Sequence, residues 1–243
     1  MEMNLSGEKY EPSDENEAHS LILQLYPQYI NDKPDELQWT EYYYELWWSF
    51  NSPPIINEHG DYEWKLDGVL HRIADLPALI MKNGSLEWYI HGQHHRSNDK
   101  PAVIDANGTC VWYEHGQKHR NYDQCALIIP NVTKEWYQRG LLHRENDLPA
   151  VICKGTYKWY RHGLLHREND LPAVIEANGT LKWYQNGQLH RDADKPSIIT
   201  HDDVRFWYQR GLRHRDNDLP AVVYPNGTQM WYINDKLVRS LIC

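Results

Sequence analysis

Phenylalanine is almost missing from this 243-residue chain: 2 Phe stand against 17 Tyr and 11 Trp. Rings that carry a polar handle are therefore placed for position rather than used as generic core filling. Cysteine is sparse too. Cys110, Cys125, Cys153 and Cys243 are scattered with no C-x-x-C pair, which excludes a zinc knuckle or a dense disulfide framework. A basic excess is lacking: 25 Lys and Arg face 34 Asp and Glu, a net charge of −9, which argues against wrapping a phosphate backbone. No apolar run approaches the ~18 residues that a membrane-spanning helix needs. The opening residues lack the basic and then apolar regions of a signal peptide, so a soluble, intracellular, cytoplasmic protein is expected.

A fixed period is what the chain does have. Trp64, Trp88, Trp112, Trp136, Trp159, Trp183, Trp207 and Trp231 are separated by 24, 24, 24, 23, 24, 24 and 24 residues. Seven units carry a His-Arg pair, at His71-Arg72, His95-Arg96, His119-Arg120, His143-Arg144, His166-Arg167, His190-Arg191 and His214-Arg215. An Asp follows each Arg by three residues: Asp75, Asp99, Asp123, Asp147, Asp170, Asp194 and Asp218. The departures are few. Cys125 replaces Pro, Val132 replaces Gly, Ser197 replaces Ala, Asp202-Asp203 replaces Asn-Gly, and the fourth unit is one residue short around Lys154-Gly155. After Trp231 the frame breaks, with Val238-Arg239 where His-Arg should stand. Atypical end units are expected of an array that must stop exposing its stacking surface.

Each unit contains two turn signals. Asn-Gly turns end at Gly84, Gly108, Gly179 and Gly227, and a second x-Gly turn falls at Gly68, Gly92, Gly116, Gly140, Gly163, Gly187 and Gly211. Asn-Gly between β-prone segments predicts a type I′ hairpin turn. The N-x-[ST] matches at Asn83, Asn107, Asn131, Asn178 and Asn226 are therefore read as turns rather than sugar acceptors. Two-residue loops place Leu79 opposite Trp88, Ala78 opposite Tyr89 and Trp64 opposite His71. Trp, His and the residue after Ala then share one face, and Tyr, Ala and Ile the other. Between the two turns the return path is longer than the outward one. The excess must be absorbed at Arg-x-x-Asp-x-Pro, where Pro interrupts a ladder and Asp fastens a bend, with Arg or His as its partner. At ~4.8 Å per strand, eight such units extend very roughly 80 Å.

The repeated side chains invite functional readings, each with a simpler rival. Successive His copies would sit ~10 Å apart, whereas zinc ligands lie about 2 Å from their ion, so a structural ladder against the Trp rings is favoured over a metal site. The Arg set could form a basic stripe for anionic lipid heads, but an equal set of Asp residues stands ready to pair with it within or between repeats. An aromatic groove could hold an extended peptide or a glycan, although Trp at a constant pitch is more often the core of a repeat array. No phosphate-cradling Gly-rich loop, Gly-x-Ser-x-Gly elbow or H-E-x-x-H occurs, so no enzyme and no cofactor is expected.

The frame Trp-Tyr-x-x-Gly-x-x-His-Arg, followed by a strand and Asn-Gly, resembles the MORN repeat (membrane occupation and recognition nexus) over about residues 50 to 235. It differs in one systematic way, with His-Arg-x-x-Asp-x-Pro-Ala in place of His-Gly-x-Gly. In this it is similar to the MORN-like proteins of amoeba-infecting giant DNA viruses of the marseillevirus kind. The resemblance implies an all-β, elongated single-sheet solenoid with scaffolding or dimerising roles, carries no catalytic residue, and points to an abundant virion or virus-factory component. The expected organisation is a disordered acidic tail over 1–16, an N-terminal cap over 17–50 (a short helix and the aromatic-rich 39–50 stretch), the array over 51–235 and a C-terminal cap over 236–243. The aromatic-rich 39–50 stretch and the terminal residues 237–243 are the candidate capping or dimerising segments. Itself and other proteins are the expected partners, with nucleic acid disfavoured and membrane not favoured. A peripheral adaptor, holding lipid heads on the Arg stripe or a peptide or glycan in the groove, is the competing class.

Overall fold

The computed structural model describes residues 48–49 and 52–243. The expected tail and all of the expected N-terminal cap but Trp48 and Ser49 lie outside the described residues. The chain divides into two compact units, one ending at Asn107 and one beginning at Gly108. The division falls inside the span read above as one array.

Among the described residues, the helical Trp48 and Ser49 apart, both units are β structure built by the same antiparallel rule. In the first, Ile55–Ile56, Tyr62–Glu63, Leu79–Ile80, Leu86–Glu87 and Val103–Ile104 pair in that order into an open sheet. In the second, the main sheet runs from Cys110–Val111 through paired strands such as Val174–Ile175 and Leu181–Lys182 to Gln229–Ile233 and Lys236–Leu241. Each repeat adds a smaller hairpin beside this sheet, for example Tyr184–Gln185 with Gln188–Leu189. Trp sits at the junction between the two and is bonded on both sides. Trp183 N–H donates to the Ser197 carbonyl at 2.8 Å, and its own carbonyl accepts from His190 N–H at 3.2 Å.

The x-Gly turns are the two-residue type I′ loops that the sequence predicts, with positive φ at both residues (Asn186 48°, Gly187 81°). Trp64 accordingly lies opposite His71, whose N–H reaches its carbonyl at 3.0 Å. The bend is where the excess length requires it. Asn169 and Asp170 adopt φ of 60° and 55°, and Leu171 N–H closes a turn on the Glu168 carbonyl at 3.2 Å.

The Asn-Gly turns correct the expectation. They are three-residue loops in which only the glycine has positive φ (Gly84 90°, Gly179 90°), closed by Gly179 N–H to the Glu176 carbonyl at 2.9 Å. That geometry is a turn followed by a glycine bulge. The extra loop residue moves the register by one, so Leu79 pairs with Glu87, not Trp88, and Ile80 with Leu86. The Tyr89 hydroxyl donates to the Glu87 carboxylate at 2.6 Å, which puts Tyr on the face of Leu79, while Ile80 lies on the other. The short fourth unit is the exception that identifies the cause. With one residue fewer, Lys154 (φ 44°) and Gly155 (φ 81°) form the two-residue loop, and Cys153 pairs directly with Thr156.

The Asn-Gly-Thr frame has a second structural use. Asn178 Oδ1 accepts Thr180 N–H at 2.9 Å, and Thr180 Oγ1 accepts His201 N–H of the following repeat at 3.3 Å. Ser85 and Thr228 repeat the second bond, to Ala106 and Cys243.

A Cβ placed on Gly179 meets nothing within 4 Å, so any penalty there is conformational alone. Gly179→Ala should cost about 1–2 kcal/mol from the left-handed backbone, and Gly179→Asn visibly less, measured as a shift in urea midpoint without a change in circular dichroism.

Candidate functional site: the tryptophan, arginine and aspartate ladder

Within each unit the structure links Trp, Arg, Asp and His side chains of neighbouring repeats. Arg167 lies over its own Trp159 ring at 3.7 Å. Its Nε and Nη2 donate to the two oxygens of Asp147, in the preceding repeat, at 2.8 Å each, and Nη1 donates to the Pro172 carbonyl at 3.3 Å. Trp159 Nε1 donates to the Asp147 backbone carbonyl at 2.9 Å. The same set recurs for Arg144 on Asp123, Arg191 on Asp170 and Arg215 on Asp194. In the first unit Arg96 bonds Asp75. Pairing is thus between repeats, one of the two arrangements that the sequence left open.

Burial decides what this chemistry can do. The paired Arg side chains are only 13–15% exposed, and the seven Trp residues from Trp64 to Trp207 are 5–8% exposed. The guanidinium covers the ring, so the Trp column is neither a groove floor nor the Arg column an open basic stripe. Hydrogen bonds from Arg167 hold the Asp147 carboxyl below the usual carboxylate range. Two cations, Arg191 and Lys195, hold Asp170 well below it. Where the sequence departs from the frame, the bonds survive. The Cys125 carbonyl receives Arg120 Nη1 in place of proline at 3.3 Å, and Ser197, in place of Ala, ties its hydroxyl to Tyr208 N–H at 2.9 Å.

The His column does a second job that sequence reasoning placed only loosely. Nδ1 of His143, His166, His190 and His214 accepts the N–H of the first turn residue in the following hairpin, at 3.2–3.4 Å. Nε2 faces the acid two residues on, at Glu145, Glu168, Asp192 and Asp216, at 2.8–3.1 Å. Both ring nitrogens are committed, and His-x-Glu/Asp was the visible signal for it. Between consecutive repeats of the second unit this leaves open clefts of about 240 and 320 Å³, the first rimmed by Tyr122 and the second by His162.

Comparison with protein-family models and with curated proteins finds no match. The MORN likeness therefore rests on the frame itself.

At the start of the array, where Asn51 stands at the frame's Asp position, backbone carbonyls substitute. Arg72 Nε donates to the Ser49 carbonyl at 2.8 Å and Trp64 Nε1 to that of Ser52 at 3.1 Å. Without a carboxylate, burial pushes Arg72 down to about 10. His71 is fully buried there, and burial, with a contribution from His91, pushes it down to about 4.

Two outcomes follow. Arg167→Lys, which keeps the charge but loses the planar stack and the fork, should destabilise nearly as much as Arg167→Ala, by about 1–3 kcal/mol. A double-mutant cycle with Asp147→Ala should show coupling between the two sites. For His71 the native pKa lies below the unfolded one, so its contribution is complete above pH 6.5 and is lost as pH falls from 6.5 towards 4. The loss is on the order of 3 kcal/mol, read as the unfolding free energy of the first unit against pH, and His71→Asn should lack that slope.

Proposed function

We propose that this chain is a non-enzymatic, MORN-like structural repeat protein that serves self-association or protein assembly, as an abundant component of a virion or virus factory. The observation that carries the reading is that the repeated chemical groups are consumed between repeats. Arg167, Trp159 Nε1 and His166 Nδ1, like their counterparts in the neighbouring repeats, hold an adjacent repeat in place. A network repeated in this way supplies a scaffold, whereas catalysis needs one asymmetric constellation. No helix among the described residues is long and apolar enough to cross a membrane. The low exposure of the Arg column weighs against the lipid-binding adaptor, and that of the Trp column against a peptide or glycan held on the rings. A protein-binding adaptor keeps support from the outward Leu141 and Leu164, both about half exposed.

Quantitative mass spectrometry of purified particles, membranes and soluble fractions of the native source separates the two. Hundreds of copies per particle are expected of a building block. Low abundance confined to soluble or membrane fractions would replace the scaffold with the adaptor.

A further inference from the structure

The last hairpin differs from every other and leaves an edge. Its strands, Gln229–Ile233 and Lys236–Leu241, have five and six residues and fuse the main-sheet and outer hairpins across a bulge at Trp231/Tyr232. Arg239 keeps the repeat's role, lying over Trp231 at 3.9 Å and reaching Asp218 at 3.5 Å. Val238, however, stands where His should, so no ring nitrogen is present to accept the N–H of a following hairpin.

Among the described residues Lys236–Leu241 pairs with Gln229–Ile233 and packs extensively against no other strand, and all six of its residues are exposed. Leu237, Val238, Leu241 and Ile242 are 51–78% exposed. Residues 236–243 contain Lys236 and Arg239 and no acid. An apolar, cationic strand with one unpaired edge is a template for another chain.

The complementary charge lies at the other end of the sequence. Residues 1–47 hold eleven acidic side chains and two lysines, the whole of the chain's net −9, whereas residues 48–243 are balanced. Within them Leu21, Ile22, Leu23 and Leu25 form an apolar run between Glu17 and Asp32. This segment joins the array at Trp48, whose ring lies 6.2 Å from that of His71 in the first unit, while the open edge belongs to the second.

We infer that the Lys236–Leu241 edge of one copy is occupied by the acidic residues 1–47 of a neighbouring copy. The inference rests on the self-association reading above and gives it a partner surface. Such a contact is heterologous, so each copy offers one donor segment and one acceptor edge and assembly propagates from chain to chain. Pairing of two identical edges is disfavoured, because it would bring the cations of both strands together with no acid in residues 236–243 to offset Lys236.

The test uses full-length protein. Isotopically light and heavy chains are mixed in equal amounts and treated with a zero-length carboxyl–amine cross-linker. Lys236 should be joined to carboxylates within residues 1–47 in mixed-isotope pairs. Sedimentation velocity should show assembly that weakens with salt and falls by about tenfold or more in Lys236→Glu, with unchanged circular dichroism because the side chain is exposed. Reversing Asp32, Asp35 and Glu36 to Lys in that variant should restore it. Cross-links confined to same-isotope pairs would mean that a chain's own segment covers the edge, and would overturn the inference. Assembly indifferent to Lys236→Glu would overturn it while leaving the scaffold reading standing. A chain that stays monomeric at all concentrations, with no cross-link, would remove both.

Discussion

One repeat's arginine, clamped between its own tryptophan and the previous repeat's aspartate, is the contact on which the rest of the structure depends. Strands of two or three residues cannot hold a sheet together by ladder bonds alone, and the main-sheet strands other than the last pair are no longer than that. The Arg167 fork joins three things that are distant in sequence: the Trp159 ring, the Asp147 carboxylate and the Pro172 carbonyl. A partly exposed ion pair contributes little by itself, but stacking on the ring and low exposure raise the worth of each link to about 1–2 kcal/mol. Repetition then adds such links in series.

The other repeated residues make sense around that clamp. The turn carrying Asp170 must present both its carboxylate and its backbone carbonyl to the following repeat, so Asn169 and Asp170 take positive φ. Pro follows because its carbonyl is needed as an acceptor while its missing N–H is not. Alanine follows Pro at zero exposure, where the chain passes from the bend into the sheet; only the equally buried Ser197 replaces it among the repeats, with its hydroxyl bonded to Tyr208. The His Nδ1 bonds and the Ser or Thr hydroxyl bonds fix the outer hairpins and the Asn-Gly loops to the next repeat. Each repeat is therefore completed by its neighbours, and the ends need substitutes: the Ser49 and Ser52 carbonyls at one, Arg239 without its histidine at the other.

That economy bears on function. A side chain already bonded on every side is a poor ligand-binding group, so the repeated residues that stand out in the sequence are those least available to a partner. Contact surfaces have to be sought where the repeat rule lapses, at exposed Leu columns, at Tyr122 on a cleft rim and at the strand Lys236–Leu241.

By itself the sequence determined the period, the all-β class, the type I′ turns at x-Gly and the bend at Arg-x-x-Asp-x-Pro. These depend on local backbone preference and on counting, and both act within one repeat. Only the tertiary structure decided that Asp147 pairs with Arg167 rather than with its own Arg144, since both partners satisfy the same charge rule. It also decided the length of the Asn-Gly loops, and with it the faces of Leu79 and Ile80. A dipeptide suits either a two-residue loop or a three-residue loop with a bulge, and one residue of slip turns every side chain to the opposite side of the sheet. The choice follows the number of residues between the paired strands: the fourth unit, one residue short, takes the two-residue loop Lys154-Gly155.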